Sequence, residues 1–192
     1  MLLFISFWIS LLISGIQPKD LFTWWLEVLP AIIVVLVLAA TYHRFQFTTF
    51  TYIWIWFHMI ILLIGGHYTY AEVPFFNWIR DTFSLERNYY DRVGHFVQGF
   101  VPALLTREVL IRVVGIRKKG WLSILVISVC LAFSAVYELL EFLVAKLTGT
   151  GADAFLGTQG DSWDTQWDMT FALMGAILAL SMFRNVQDRR MK

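Results

Sequence analysis

The chain has 192 residues, of which 58% are hydrophobic and only 15% charged, whereas charged residues make up about 25% of a soluble domain. Seventeen Phe, nine Trp and seven Tyr add an aromatic load that a water-facing surface does not carry, which excludes an ordinary soluble protein. A net charge of +1 removes any case for nucleic acid as a partner, and the single cysteine, Cys130 in an apolar run, excludes an internal disulfide and a Cys-based metal site.

Six apolar stretches predict an all-α, polytopic membrane helix bundle in one integral domain, with about six transmembrane spans near 2–16, 21–42, 48–68, 94–114, 121–146 and 165–183. Each is long enough, or nearly so, to cross about 30 Å of hydrocarbon at 1.5 Å per residue. The first lacks a basic leader, and Gln17-Pro18-Lys19 is a poor cleavage site, so it reads as a retained helix and not a signal peptide. Helices are required because lipid offers backbone amides no partners, and the dyad alternation of a barrel is missing. Trp24, Trp25, Trp54, Trp56, Trp78, Trp121, Trp163 and Trp167 lie mostly near predicted span ends, as interfacial anchors do.

Lys and Arg give the sidedness. Arg44, Arg112, Arg117-Lys118-Lys119 and the tail with Arg184, Arg189, Arg190 and Lys192 fall on one side of a six-helix zigzag, which predicts that side and both termini to be cytoplasmic. The other side receives Pro18-Lys19-Asp20, the segment 69–91 and the loop 148–164. Its Arg80, Arg87 and Arg92 are outnumbered by Glu72, Asp81, Glu86, Asp91, Asp153, Asp161 and Asp164.

Three segments carry polar residues that a lipid-facing helix should not have, since an ionisable group at mid-membrane costs at least about 2.5–3.5 kcal/mol. Asp91, His95 and Gln98 fall at i, i+4 and i+7 on one face of the fourth span, with Pro102 placed to kink it. Tyr137, Glu138 and Glu141 lie on the fifth span, beside Ser134. Asp161, Asp164 and Asp168 run into the sixth, where Ala172, Gly175 and Ala179 allow close helix approach. All three stripes belong at one depth, with His95 and Asp168 about 6 Å below the start of their helices. So many carboxylates cannot stay ionised together without a cation, an arginine or bound protons, and Arg92 is the nearest counter-charge.

These residues divide by chemistry. His95, Glu138 and Glu141 are the candidate catalytic groups, with His95 or Glu138 as general base. Arg92, Gln98 and Tyr137 are candidates for binding substrate. Asp91, Asp161, Asp164 and Asp168 are candidate ligands for Mg²⁺, Mn²⁺ or Ca²⁺, Zn²⁺ being disfavoured by a single nearby His. Membrane lipids are the expected partners, and a lipid or lipid-linked envelope component is the expected substrate. Two alternatives stand beside this one: a proton or cation relay in a transporter, and an interhelical network that only fixes the bundle. Elsewhere, Glu108 is placed to pair with Arg112, Arg107 to snorkel, His58 to pack against a neighbour and Glu27 to sit at the interface. His67, Tyr68, Tyr70 and Glu72 read as either the mouth of the site or a plain surface loop.

Tyr90-Asp91-Arg92-x-x-His95-Phe96, then Tyr137-Glu138-x-x-Glu141, then Gly160-Asp161-x-x-Asp164-Thr165-x-x-Asp168-Met169 with Gly175-Ala176 resembles the YjdF family of bacterial inner-membrane proteins. The order of elements is also similar to the VanZ-like group. The resemblance covers residues 88–176 and implies shared polar positions at Asp91, His95, Glu138, Glu141, Asp161, Asp164 and Asp168. VanZ-like proteins are linked with resistance to teicoplanin-type glycopeptides. Here Ala172 stands where that group has Asn and no Arg precedes Asp161, so resistance is not carried over.

Overall fold

The computed structural model describes residues 1–149 and 153–191; the Asp153 side chain and Lys192, both counted in the charge asymmetry, lie outside the described residues. The described chain is all-helical: α1 (Leu2–Ser14), α2 (Leu21–Thr41), α3 (Thr49–Tyr68), α4 (Pro74–Phe83), α5 (Tyr90–Arg112), α6 (Lys119–Thr148), the single turn α7 (Asp153–Leu156) and α8 (Asp164–Arg190). Six of these overlap the six expected spans. Four, α2, α3, α6 and α8, are long and apolar enough by themselves to cross a membrane, and α1 is a shorter apolar helix.

The exception, α5, explains the architecture. It carries Asp91, Arg92, His95, Arg107, Glu108 and Arg112, and the first five of these are buried. A helix so charged cannot face lipid, so it becomes the centre of the bundle, packed on α8, α6 and α3. The closest approach is to α8. A Cβ on Gly99 would overlap the Ala172 carbonyl, and one on Gly175 would overlap the Phe96 carbonyl, so the two backbones touch with no side chain between them. Ala172, Ala176 and Ala179 are fully buried along the same seam. Between lipid-solvated helices there is no hydrophobic driving force, and such close van der Waals packing supplies the association.

Two boundaries differ from the sequence reading. Helix α5 begins at Tyr90 rather than Gly94, because its polar first turn is buried against α8 and so lies outside any apolar window. Helix α8 continues to Arg190, because Gln187 and Asp188 turn back to bond with Arg107. The segment 69–91 also contains the unexpected α4. Pro74 opens it with φ already helical, and Ser84 closes it in the left-handed region at φ 51°. Its Phe75, Trp78 and Phe83 are exposed, an amphipathic pattern that suits a helix lying in the membrane interface.

The ends of the bundle are chemically opposite. At the acid end, the end of α1, the start of α2 and the end of α3 are tied together. The Lys19 amide donates to the His67 carbonyl at 2.9 Å, His67 Nδ1 donates to the Ser14 carbonyl at 2.8 Å, and Lys19 pairs with Glu72. At the basic end Glu108 receives four donors: the Thr48 amide (2.8 Å), the Thr48 hydroxyl (3.1 Å), the Thr51 hydroxyl (2.7 Å) and Arg112. The expected Glu108–Arg112 pair is therefore present. Arg107 does not snorkel; it is buried and donates to Asp188 at 2.6 Å and Gln187 at 3.3 Å.

The α5–α8 seam gives a direct test. Gly99→Ala would stabilise a free helix by about 1 kcal/mol, but here it should destabilise the protein by about 1–3 kcal/mol through overpacking. Gly120→Ala, where nothing lies within 4 Å of the added methyl, should show no such loss. Thermal unfolding in detergent measures both.

Candidate functional site

The acid end is organised by two buried guanidiniums. Arg92, on the first turn of α5, donates to Asp164 Oδ1 at 2.6 Å, to Asp161 Oδ2 at 3.2 Å, to the Asp164 carbonyl at 3.2 Å and to Asp168. Arg87, just before α5, donates to Asp164 Oδ1 at 2.6 Å and to the carbonyls of Gly157 (2.9 Å) and Thr158 (3.2 Å). Asp164 Oδ1 thus receives both arginines, and the loop leading into α8 is clamped to the start of α5.

Sequence reasoning missed Arg87, which counted only as a loop charge. The signal that separates it from Arg80 is its position four residues before Asp91. Asn88 completes the clamp. Its amide donates to Gln159 Oε1 and its carbonyl accepts from Gln159 Nε2, both at 2.9 Å, while its side chain donates to the Val73 carbonyl and to Asn77.

Below the clamp lies His95. Its Nε2 is 3.6 Å from Asp91 Oδ1 and 3.7 Å from Asp168 Oδ1, and its Nδ1 is 3.7 Å from Glu138 Oε1. These separations fall just outside hydrogen-bond range. His95 Nδ1, Glu138 Oε1 and Ser134 Oγ are all buried without a hydrogen-bond partner among the described residues. Glu141 is buried one turn beyond Glu138. Two triads, Asp91/His95/Asp168 and His95/Glu138/Glu141, bring ligand atoms within 4.8 Å of one another.

The structure therefore brings together most of the residues expected to form a site. Asp91, Arg92, His95, Glu138, Glu141, Asp164 and Asp168 are buried in one cluster, and Asp161 is half-buried at its rim. Tyr137 sits beside His95, ring centroids 6.3 Å apart, and donates its hydroxyl to Glu27 Oε2 at 3.1 Å. Gln98 is half-buried one turn deeper and enters no hydrogen bond among the described residues. Glu27 is not interfacial. It is buried on α2 and extends the cluster to a fourth helix.

Of the four residues considered for the mouth, only Tyr70 turns inward. Its backbone is left-handed at φ 52°, and its ring packs against Gly65 and Gly94, where a Cβ on either would collide with it. His67 and Glu72 serve the α1–α3 junction instead. His58 is buried within α3, as expected of a packed histidine.

Asp161, Asp164 and Asp168, expected to face a metal ion, each give an oxygen to Arg92. Within this cluster, the wholly buried carboxylate and imidazole atoms left without a hydrogen-bond partner among the described residues are Glu138 Oε1 and His95 Nδ1. A charge count shows what this leaves. Glu27, Asp91, Glu138, Glu141, Asp161, Asp164 and Asp168 face Arg87 and Arg92, seven carboxylates against two guanidiniums. Removing one partner of a buried ion pair costs about 3–5 kcal/mol, against about 0–1 kcal/mol for an exposed pair such as Arg80–Asp81. Arg92→Met should therefore lower the unfolding midpoint in detergent strongly. Asp164→Asn added to it should cost less than the two single losses summed, a coupling read from a double-mutant cycle.

The description "predicted membrane protein (DUF2238)" belongs to the family that matches residues 1–189 of this chain. The inner membrane protein YjdF of Escherichia coli (strain K12) is 47% identical over 182 residues, covering 95% of this chain and 87% of that protein. No solved structure matches the chain. These matches support the YjdF side of the resemblance and do not bear on the VanZ-like group. The chain belongs to the DUF2238 family of membrane proteins.

Proposed function

We propose that this member of the family works through a divalent-cation pocket formed by His95, Glu138 and Glu141, used on a lipid or lipid-linked envelope component at the outer leaflet of the inner membrane. The observation that carries this reading is the pair of unpartnered buried atoms, His95 Nδ1 and Glu138 Oε1, inside a cluster whose carboxylates outnumber its arginines. The ligand atoms of this triad lie within 4.8 Å of one another, close enough for one ion with bonds of about 2.0–2.6 Å to reach all three. A mixed imidazole and carboxylate set suits Mn²⁺ better than Mg²⁺ or Ca²⁺.

In this reading the Arg87/Arg92 clamp holds Asp161, Asp164 and Asp168 as a rigid wall. An ion held by His95, Glu138 and Glu141 would supply Lewis-acid polarisation of a phosphoryl or ester oxygen, and Asp91, outside that ligand set, would be the base for an attacking water. A cavity of about 340 Å³ beside Arg92, walled by Phe76, Tyr89, Val93, Phe96 and Phe171, supports an apolar tail on the ligand. The sidedness follows from the basic end being cytoplasmic, with both termini inside.

A second reading is favoured by the Tyr137–Glu27 bond, which continues the cluster across to α2. Glu138, Tyr137 and Glu27 would then relay protons or a cation. The two separate cleanly. Mn²⁺ titrated into the purified protein should lose its free-ion paramagnetic resonance signal at about one ion per chain, and His95→Asn or Glu138→Gln should abolish that binding. Retained binding in both variants would remove the cation pocket. Proton flux in proteoliposomes that disappears in Glu138→Gln, without Mn²⁺ binding in the native chain, would establish the relay. For sidedness, Glu86→Cys should react with a membrane-impermeant maleimide on intact spheroplasts and Arg189→Cys only after lysis; buried Cys130 gives no background.

A further inference from the structure

The basic end holds a second feature that the acid-end pocket does not use. Between the start of α6 and the last third of α8 lies a cleft of about 370 Å³, within the range of about 300–1,000 Å³ typical of small-molecule sites. Arg107, Lys119, Arg184 and Asp188 line it. Arg107 is buried and fixed by Asp188 and Gln187, and Asp188 is thereby committed to Arg107. Lys119 and Arg184 enter no ion pair among the described residues. Three cations against one anion leave the cleft with an excess of two positive charges.

Along the two helices the lining runs from Lys119 and Arg184 at one end to Ile127 and Ile177 about two turns further in. Ser123, Ser181 and Asn185 add polar groups and Leu122 and Leu180 apolar ones. A cationic mouth continuous with an apolar wall, at the end of two membrane-spanning helices, fits a ligand with an anionic head and a hydrocarbon tail. A soluble anion would use the first feature and leave the second bare. A neutral lipid would leave Lys119 and Arg184 uncompensated.

We propose that this cleft holds the phosphodiester headgroup of one anionic membrane phospholipid, bound by Lys119 and Arg184, with the start of an acyl chain against Ile127 and Ile177. Arg107 is spent on Gln187 and Asp188, which it ties to α5 beside the cleft. The proposal is independent of what the acid end does.

The test is native mass spectrometry of the full chain released from phosphatidylcholine nanodiscs containing graded amounts of phosphatidylglycerol. The native protein should retain one phosphatidylglycerol per chain. Lys119→Gln/Arg184→Gln should bind it about thirtyfold more weakly, at about 1 kcal/mol per basic residue near the surface. Arg117→Gln/Lys118→Gln removes the same charge outside the cleft and should keep affinity within about threefold. Ser181→Phe, which fills the cleft with every charge retained, should lose the bound lipid. Equal weakening in the two double variants would mean diffuse attraction to an anionic surface and would overturn the proposal, as would full retention in a folded Ser181→Phe. Displacement by millimolar inorganic phosphate would overturn the choice of a lipid. The charge comparison decides alone if Ser181→Phe fails to fold.

Discussion

Two guanidiniums buried among seven carboxylates set the terms for the rest of this fold. Neither arginine could be placed in hydrocarbon alone, and neither could the acids. Arg92 and Arg87 converge on Asp164, and through it they join the start of α5 to the loop and first turn of α8. That junction brings Asp168 against His95, and the Gly99–Ala172 and Gly175–Phe96 contacts lower down continue the same seam. The polar clamp and the small-residue seam are therefore two parts of one interface. The clamp fixes its register at the acid end, and the glycines allow the approach that the clamp requires.

Much of this was legible in the sequence, for identifiable reasons. A stripe such as Asp91/His95, or Asp164/Asp168, is a property of one helix, and helical spacing alone places its members on one face. The depth argument needed only the chain order of the spans, and it put His95, Glu138 and Asp168 at a common level, where they are found. The small residues after Asp168 likewise announced a close helix contact. What could not be read was which residue answers which charge. Arg87 lies outside every apolar window and precedes its helix, so no periodicity includes it. Glu27 lies on α2, whose other residues look like a simple lipid-facing span, and its role depends on Tyr137 reaching across from α6. Tyr70 is turned inward by a left-handed backbone that no hydropathy pattern encodes.

The metal assignment shows the same limit from the other side. The oxygen-rich set of Asp91, Asp161, Asp164 and Asp168 was the sequence's choice of ligands, and three of the four lie near the sixth span. Pairing in space divides the acids differently, although Asp91 and Asp168 still stand with His95 as one possible ligand set. Asp161, Asp164 and Asp168 each accept from Arg92, whereas Glu138 and His95, more widely separated in the chain, keep atoms that nothing among the described residues satisfies. Charge density along a sequence measures how much compensation is needed, and only the fold decides where it is supplied.

The two ends of α5 then serve as a comparison within one molecule. Both place ionisable groups in the interior at similar burial. At the basic end, Glu108 is wholly buried, and its two oxygens receive four donors, from Thr48, Thr51 and Arg112. That is how a buried carboxylate whose role is structural is accommodated, since each unmet hydrogen bond there costs about 1–3 kcal/mol. At the acid end, Glu138 Oε1 faces His95 Nδ1 across 3.7 Å with Ser134 Oγ also unpartnered, although hydroxyls and amides of the same kinds were available to the sequence. Among the described residues, His95 Nδ1, Glu138 Oε1 and Ser134 Oγ form one group of unpartnered buried atoms, while Thr23, Trp56, His58 and Arg87 supply the others. Of the readings open to the chain, a pure architectural network fits that distribution least well. A network that only holds helices together gains nothing from unpaired members, whereas a pocket that takes up a cation or a proton requires them.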